Sequence, residues 1–173
     1  EGVYLYDDCG NEYLDGTAGS MCSNIGHGVE EIAEAAADQM RRLEYTTPIL
    51  TVNDQSREYA DELATFLPDG FEHTFMVSGG SEAVETAIKM ARQYHLKTGN
   101  PQKHVVIGCQ RSYHRMTLCA LSSPGLRSRR RPFQPMLHDW PKAPAPYPYR
   151  CSCCPDTATC RDHGEECAKR LEE

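Results

Sequence analysis

The residues in this 173-residue sequence best suited to chemistry are Ser78-Gly79-Gly80-Ser81. They lie between an apolar run, Phe75-Met76-Val77, which reads as the end of a buried strand, and the segment Glu82 to Tyr94. In that segment Ala83, Ala87, Met90, Ala91 and Tyr94 recur at helical spacing and predict a helix with an apolar inner face. Adjacent glycines remove the bulk that keeps an anion from the amides of a first helical turn, where the helix dipole also favours negative charge. Gly80 and Ser81 are therefore candidate phosphate ligands, although a Ser78 or Ser81 that only caps the helix accounts for the same local pattern. The turn has neither the Gly-Lys-Ser/Thr ending of a P-loop nor the dinucleotide GxGxxG fingerprint, so a mononucleotide or a phosphorylated cofactor suits it better than ATP.

Other reactive residue types are less ordered. His27, between Gly26 and Gly28, reads as a structural histidine that hydrogen-bonds loop backbone. Cys151, Cys153, Cys154, Cys160 and Cys167, with His163, are rich enough in soft ligands for zinc, but their spacings are not CxxC pairs and Cys153 and Cys154 are adjacent. No metal site is expected there. With Cys9, Cys22, Cys109 and Cys119 the total is nine, an odd number that favours reduced thiols and a cytoplasmic protein. A mitochondrial location stays open because the chain begins at Glu1 rather than methionine. The net charge of -7, from 18 basic and 25 acidic residues, argues against a nucleic-acid surface. The basic run Arg127-Ser128-Arg129-Arg130-Arg131 has no interleaved aromatic platforms and reads as a solvated loop. No apolar run approaches the roughly 20 residues of a membrane span.

Around these groups the secondary structure reads as a short succession of elements. Val3 to Asp8 and Glu12 to Asp15 predict a hairpin around Cys9-Gly10-Asn11. Gly16 to Gly28 is glycine-rich, lacks periodicity and predicts an irregular loop. A helix is predicted over Val29 to Leu43, with Glu30, Glu31 and Glu34 near its positive end, and a second one capped by Asn53 or Asp54 with Tyr59, Leu63 and Phe66 inside. His104-Val105-Val106-Ile107-Gly108 is the cleanest buried strand, so strand, central helix and strand form a βαβ unit in a partly parallel sheet. A site would then lie beyond the carboxyl ends of Val77 and Ile107, where both the glycine turn and Ser112-Tyr113-His114 fall. From Pro124 onward, proline density predicts an extended surface loop rather than sheet core. Mean hydropathy of -0.60 is modest for an independent α/β domain.

Three stretches in this order, YLDGTAGSMCSNIGHG, SGGSEAVETAIKMAR and SYHRMTLCALS, resemble the class-III (omega-type) aminotransferases across most of residues 1 to 125. The resemblance implies an N-terminal fragment of the pyridoxal-phosphate-dependent transferase fold type I, aspartate aminotransferase-like. That α/β fold has a mostly parallel sheet with flanking helices, preceded by a small-domain segment. Residues 1–45 would supply the small-domain segment and active-site edge loop, and 46–173 the beginning of the large cofactor-binding domain, with a Pro/Cys-rich loop at 124–163. The implied cofactor is pyridoxal 5'-phosphate, with Gly80 and Ser81 on its phosphate, Tyr113 stacked on its ring and His114 bracing the ring or its loop. Ser20, Met21 and Cys22 would face the substrate. Where the family usually has glycine after the histidine this sequence has Arg115, which either narrows the pocket or brings a positive charge near the phosphate.

No stretch matches the family's Schiff-base lysine. Lys89, Lys97 and Lys103 lie on the helix or in a connection, so that lysine is expected beyond Glu173 and this chain alone should be inactive. The reaction expected of the parent protein is transfer of an amino group from an amine or amino acid to a keto acid or aldehyde, in a homodimer or higher homo-oligomer. A decarboxylase or aminomutase of the same fold, and a non-catalytic Cys-rich interaction or metal-binding module, are the alternatives.

Overall fold

The computed structural model describes residues 2–151 and 168–169. Within these the chain forms two compact units, Glu1–Thr74 and Phe75–Glu173.

The first unit opens with the expected hairpin. Strands β1 (Tyr4–Tyr6) and β2 (Glu12–Leu14) pair antiparallel, with Tyr4 opposite Leu14 and Tyr6 opposite Glu12. One carboxylate organises its turn: Asp7 accepts from the Cys9 and Asn11 amides, the Asn11 side chain and the Tyr13 hydroxyl. Those donors, the Asn11 side chain first, hold the Asp7 carboxyl down at about 2. The Gly16 to Gly28 loop contains a single tight turn, α1 (Ala18–Met21), and is otherwise irregular. Helices α2 (Glu30–Arg42) and α3 (Asp54–Thr65) come next, as predicted. Helix α2 carries Glu30 and Glu31 in its first turn and Arg41 and Arg42 in its last, matching the helix dipole at both ends. The cap of α3 is Asn53, whose side-chain oxygen accepts from the Ser56 amide at 2.7 Å. Leu63 is half-buried, whereas Tyr59 and Phe66, expected inside, are exposed.

In the second unit, α4 (Gly80–Lys97) is the long element. Its covered face differs from the predicted one. Ser81, Val84, Glu85, Ile88, Arg92 and His95 are half-buried, while Ala83, Ala87, Met90, Ala91 and Tyr94 lie exposed on the opposite side. Polar tethers account for this. Ser81 and Glu85 hold the segment after Tyr113, and Arg92 donates to the Pro101 and Lys103 carbonyls. An open groove of about 1060 Å³ runs between α4 and the segment before β3, lined by Ala87, Ile88, Ala91, Val105 and Ile107. Gly80, Ser81, Tyr113 and His114 do not line it.

Two strand predictions need correction. Among the described residues, Phe75 to Val77 and His104 to Ile107 belong to no ladder, because no neighbouring strand pairs with them. The pairing that exists is between β3 (Gly108–Cys109) and β4 (Lys142–Ala143), parallel, with Gly108 opposite Lys142. Strand β4 lies inside the proline-rich stretch read as a loop. Gly108 N–H donates to the Pro141 carbonyl at 3.1 Å and Gln110 N–H to the Ala143 carbonyl at 2.8 Å, and Pro141 and Pro144 flank the two paired residues, so their missing amides leave the pairing intact.

The buried core is where α5 (Leu118–Ser122) and these strands meet. Ala120, Leu121, Ser122, Ser123, Pro124 and Ala143 are buried. Backbone packs directly on backbone there, since a Cβ on Gly108 would stand 1.7 Å from the Ser123 carbonyl oxygen. The short helix α6 (Arg127–Arg130) and a 3-10 turn over Arg131–Met136 then give order to the arginine run. The cysteine cluster from Cys153 to Cys167 lies outside the described residues. Among those described, no group of three potential ligands is placed to hold a metal ion and no helix is long and apolar enough to cross a membrane.

Candidate functional site

The start of α4 presents amide donors that the described residues leave unpaired. Gly79 enters in extended conformation and provides no side-chain cap. The first amide of the turn to find an acceptor is Ala83 N–H, which donates to the Gly79 carbonyl at 3.0 Å. The amides of Gly80, Ser81 and Glu82 find none among the described residues. Such orphan donors are the ordinary condition of a helix start and are met by a cap, by water or by a ligand. Ser81 does not cap its own helix. Its hydroxyl oxygen accepts from the Met116 amide at 3.4 Å, which leaves the hydroxyl hydrogen to donate.

Arg115 completes this arrangement. A Cβ on Gly80 would lie 2.2 Å from Nε and 2.9 Å from Cζ of Arg115, so the glycine's missing side chain is the space that the guanidinium occupies. Arg115 adopts φ +77°, a conformation that favours glycine. The Glu82 carboxylate lies beside Gly79, with Oε2 3.2 Å from where a Cβ there would stand. Three amides, the Ser81 hydroxyl hydrogen and the Arg115 guanidinium have no protein acceptor among the described residues and are donors of the kind that an anion accepts from.

Helix α4 also fixes the segment after Tyr113. Glu85, one turn beyond Ser81, accepts from the Thr117 hydroxyl at 2.7 Å and from the Ala120 amide at 3.1 Å, so it caps α5 from outside. Burial pushes the Glu85 carboxyl up, but the Thr117 and Ala120 donors outweigh it and leave the group below the usual carboxylate range. Burial and that carboxylate together raise the Cys119 thiol to about 11, so it is an inert thiol. Tyr113 is 44% exposed, with the Arg129 guanidinium 4.6 Å from its ring centre, and His114 is half-buried.

The loop of the first unit has the opposite character. Asp15, its side chain 6% exposed, accepts from the Thr17 amide and hydroxyl, the Gly19 amide and, at 2.8 Å, pairs with His27 Nε2. The His27 bond is the main reason that the Asp15 carboxyl sits at about 2. His27 is structural as expected, but its side-chain partner is this carboxylate, while its backbone pairs in both directions with Gly2. The clamp encloses an unusual turn: Ala18, Gly19, Ser20 and Met21 all have positive φ, 46° to 68°. Three of the four carry side chains, so the turn stores strain that its surroundings must hold. Met21 at its tip is 80% exposed, and Cys22 is exposed with its thiol directed to the Ser20 carbonyl.

Gly80, Ser81 and the backbone after His114 are thus brought together within one unit, and Ser20, Met21 and Cys22 share one strained turn in the other. Sequence reasoning passed over Asp15, Glu85 and Arg129. Glu85 had a usable signal in standing one helical turn after Ser81; Asp15 had none short of its bond to His27, twelve residues away.

The family described as aminotransferase class-III matches residues 1–172. Among curated proteins, the chain is 39% identical over 173 residues to the adenosylmethionine-8-amino-7-oxononanoate aminotransferase of Geobacter sulfurreducens, covering 99% of this chain and 38% of that protein. It is 41% identical over 129 residues to the putrescine–pyruvate aminotransferase of Pseudomonas aeruginosa, covering 74% and 28%. Among solved structures, an (S)-enantioselective omega-transaminase from Thermomicrobium roseum superimposes with a TM-score of 0.83 at 35% identity, over 99% of this chain and 37% of that one. The chain spans about a third of the length of the curated relatives it matches. Its fold is that part of the fold type I transaminase architecture, and the chain belongs to the class-III aminotransferase family.

Proposed function

We propose that the full-length protein is a pyridoxal 5'-phosphate-dependent aminotransferase that moves an amino group from an amine or amino acid to a keto acid or aldehyde. The observation that carries this reading is the start of α4, where the amides of Gly80, Ser81 and Glu82 have no acceptor, in a chain that matches the family from end to end. The relatives' names specify different donors, putrescine in one and adenosylmethionine in another, so the proposal extends to the reaction class and not to one donor.

Pyridoxal phosphate, when bound, supplies an electron sink for the charge left on a substrate carbon. Gly80 and Ser81 hold its phosphate through amides already oriented by the helix, so little ordering is needed on binding. Tyr113 confines the ring and His114 steadies the loop that carries it. Ser20, Met21 and Cys22 are proposed to contact substrate, a role supported by the strain of their turn. Lys89, Lys97 and Lys103 take no part, and the Lys142 ammonium is engaged by the Trp140 carbonyl. The lysine that moves the proton is proposed to lie beyond Glu173. The division into a small-domain segment at 1–45 and the start of a cofactor domain at 46–173 belongs to the same reading, as do a homodimeric or larger assembly and a cytoplasmic location. Exposed Phe75, Val105 and Ile107 support an assembly in which further chain covers them.

The test is borohydride reduction of the full-length protein with pyridoxal phosphate and then peptide mapping, alongside an assay for amine-dependent consumption of a keto acid. Stoichiometric labelling of one lysine outside residues 1–173 with turnover is the expected result. Absence of cofactor binding would overturn the reading; specific labelling of a lysine within 1–173 would overturn the assignment of the catalytic lysine.

A further inference from the structure

We propose that Arg115 is an additional ligand to the cofactor phosphate, one that this chain has in place of the glycine usual after the Tyr-His pair. The inference rests on the proposed function and assigns a specific residue within it.

Four features of the second unit carry it. The guanidinium lies against Gly80, at the start of the turn whose amides lack acceptors. It has neither a carboxylate within ion-pair distance nor a hydrogen-bond acceptor among the described residues, and it carries five N–H donors. The backbone that carries it is anchored to the same turn, since the next residue, Met116, donates its amide to the Ser81 hydroxyl. Finally, Arg115 retains a positive φ that a side chain adopts only at a cost. The guanidinium is exposed and without a protein partner among the described residues, so it is available to an anion that binds at the α4 amides. A planar guanidinium donates two parallel hydrogen bonds to two phosphate oxygens, a contact that a lone helix start does not provide.

The location also discriminates between ligands. Contact with the phosphate affects phosphorylated and unphosphorylated forms of the cofactor differently, whereas contact with the ring or a general effect on folding affects both alike. Arg115→Gly is the informative variant because glycine accepts φ +77° without strain, so the protein is expected to fold at least as well as the parent.

The experiment measures dissociation constants of pyridoxal phosphate and of pyridoxal for the full-length apo-protein and its Arg115→Gly and Arg115→Lys variants, by cofactor fluorescence, at two salt concentrations. Loss of a charge-assisted pair at an exposed site predicts about tenfold weaker binding of pyridoxal phosphate to Arg115→Gly, a smaller loss in Arg115→Lys, and unchanged pyridoxal binding. The parent's preference for the phosphorylated form should also shrink with added salt more than the variant's does. Equal losses for both ligands, or no loss for pyridoxal phosphate, would overturn the role of Arg115 and leave the proposed function standing. Failure of the parent to bind pyridoxal phosphate would overturn the proposed function, and this inference with it.

Discussion

The loop around Asp15 and the start of α4 are both glycine-bearing turns rich in hydrogen-bond donors, and they dispose of those donors in opposite ways. In the loop one carboxylate receives the Thr17 and Gly19 amides, the Thr17 hydroxyl and His27. At the α4 start three amides and a guanidinium converge with no acceptor. Donors met by a protein carboxylate belong to the scaffold, whereas helix-start amides that the protein leaves to water are open to an incoming anion. The same contrast separates His27, a histidine with an inviting sequence setting, from Ser81 and Arg115. His27 is used up by the fold.

The variants that strain this contrast most should act at α4. In the full-length protein, Gly80→Val places a branched side chain where Arg115 now lies, 2.2 Å from Nε. The exposed guanidinium can swing aside, so the loss expected is that of a branched side chain crowding the phosphate itself, more than about tenfold in the dissociation constant. Unchanged affinity would mean that no ligand uses this turn. Tyr113→Ala should cost less, about 2- to 10-fold in cofactor retention, since ring contact is lost while the phosphate contacts stay. An equal or larger loss than in the Gly80 variant would move the weight of binding from phosphate to ring.

Perturbing the loop should change order rather than cofactor affinity. Asp15→Ala leaves its donors without an acceptor, so amide exchange at Thr17 and Gly19 should accelerate several-fold while the dissociation constant of pyridoxal phosphate changes little. The pH dependence has a definite sign. The folded Asp15 carboxyl, at about 2, lies below its ordinary value of about 4, so its contribution to loop stability is complete above pH 4 and is lost as pH falls from about 4 toward 2. Loop exchange that is flat through that window would remove Asp15 as the clamp. The smallest effect concerns the cysteines, where a chelator should leave both cofactor binding and the thermal midpoint of the full-length protein unchanged; a fall in midpoint with stoichiometric zinc would establish a structural metal.

Local features were the legible ones in the sequence. The hairpin, α2 and the Asn53 cap arise from turn chemistry and periodicity within a dozen residues, and the glycine turn before α4 declared itself in the same way. The covered face of α4 was misread because Ser81 and Glu85 reach partners more than thirty residues away, and polar tethers over that distance leave no periodic trace. Strand β4 was hidden by its prolines, which flank the two paired residues rather than fall between them. The segments at 75–77 and 104–107 have strand composition, yet a strand forms only against a neighbour, and the described residues offer them none. Arg115 stood out as a departure from the family pattern, but its placement over Gly80 depends on the fold of the whole unit.

If the open amides of α4 receive the cofactor phosphate, their protons must become protected when the cofactor binds. Hydrogen exchange of the full-length protein with and without pyridoxal phosphate, resolved to single amides within Ser78 to Val84, reads that protection. The cofactor is expected to slow exchange at Gly80, Ser81 and Glu82 by about an order of magnitude or more. Exchange at those three amides that is the same in the bound and free protein, with binding confirmed in the same sample, would contradict a phosphate seated on this turn.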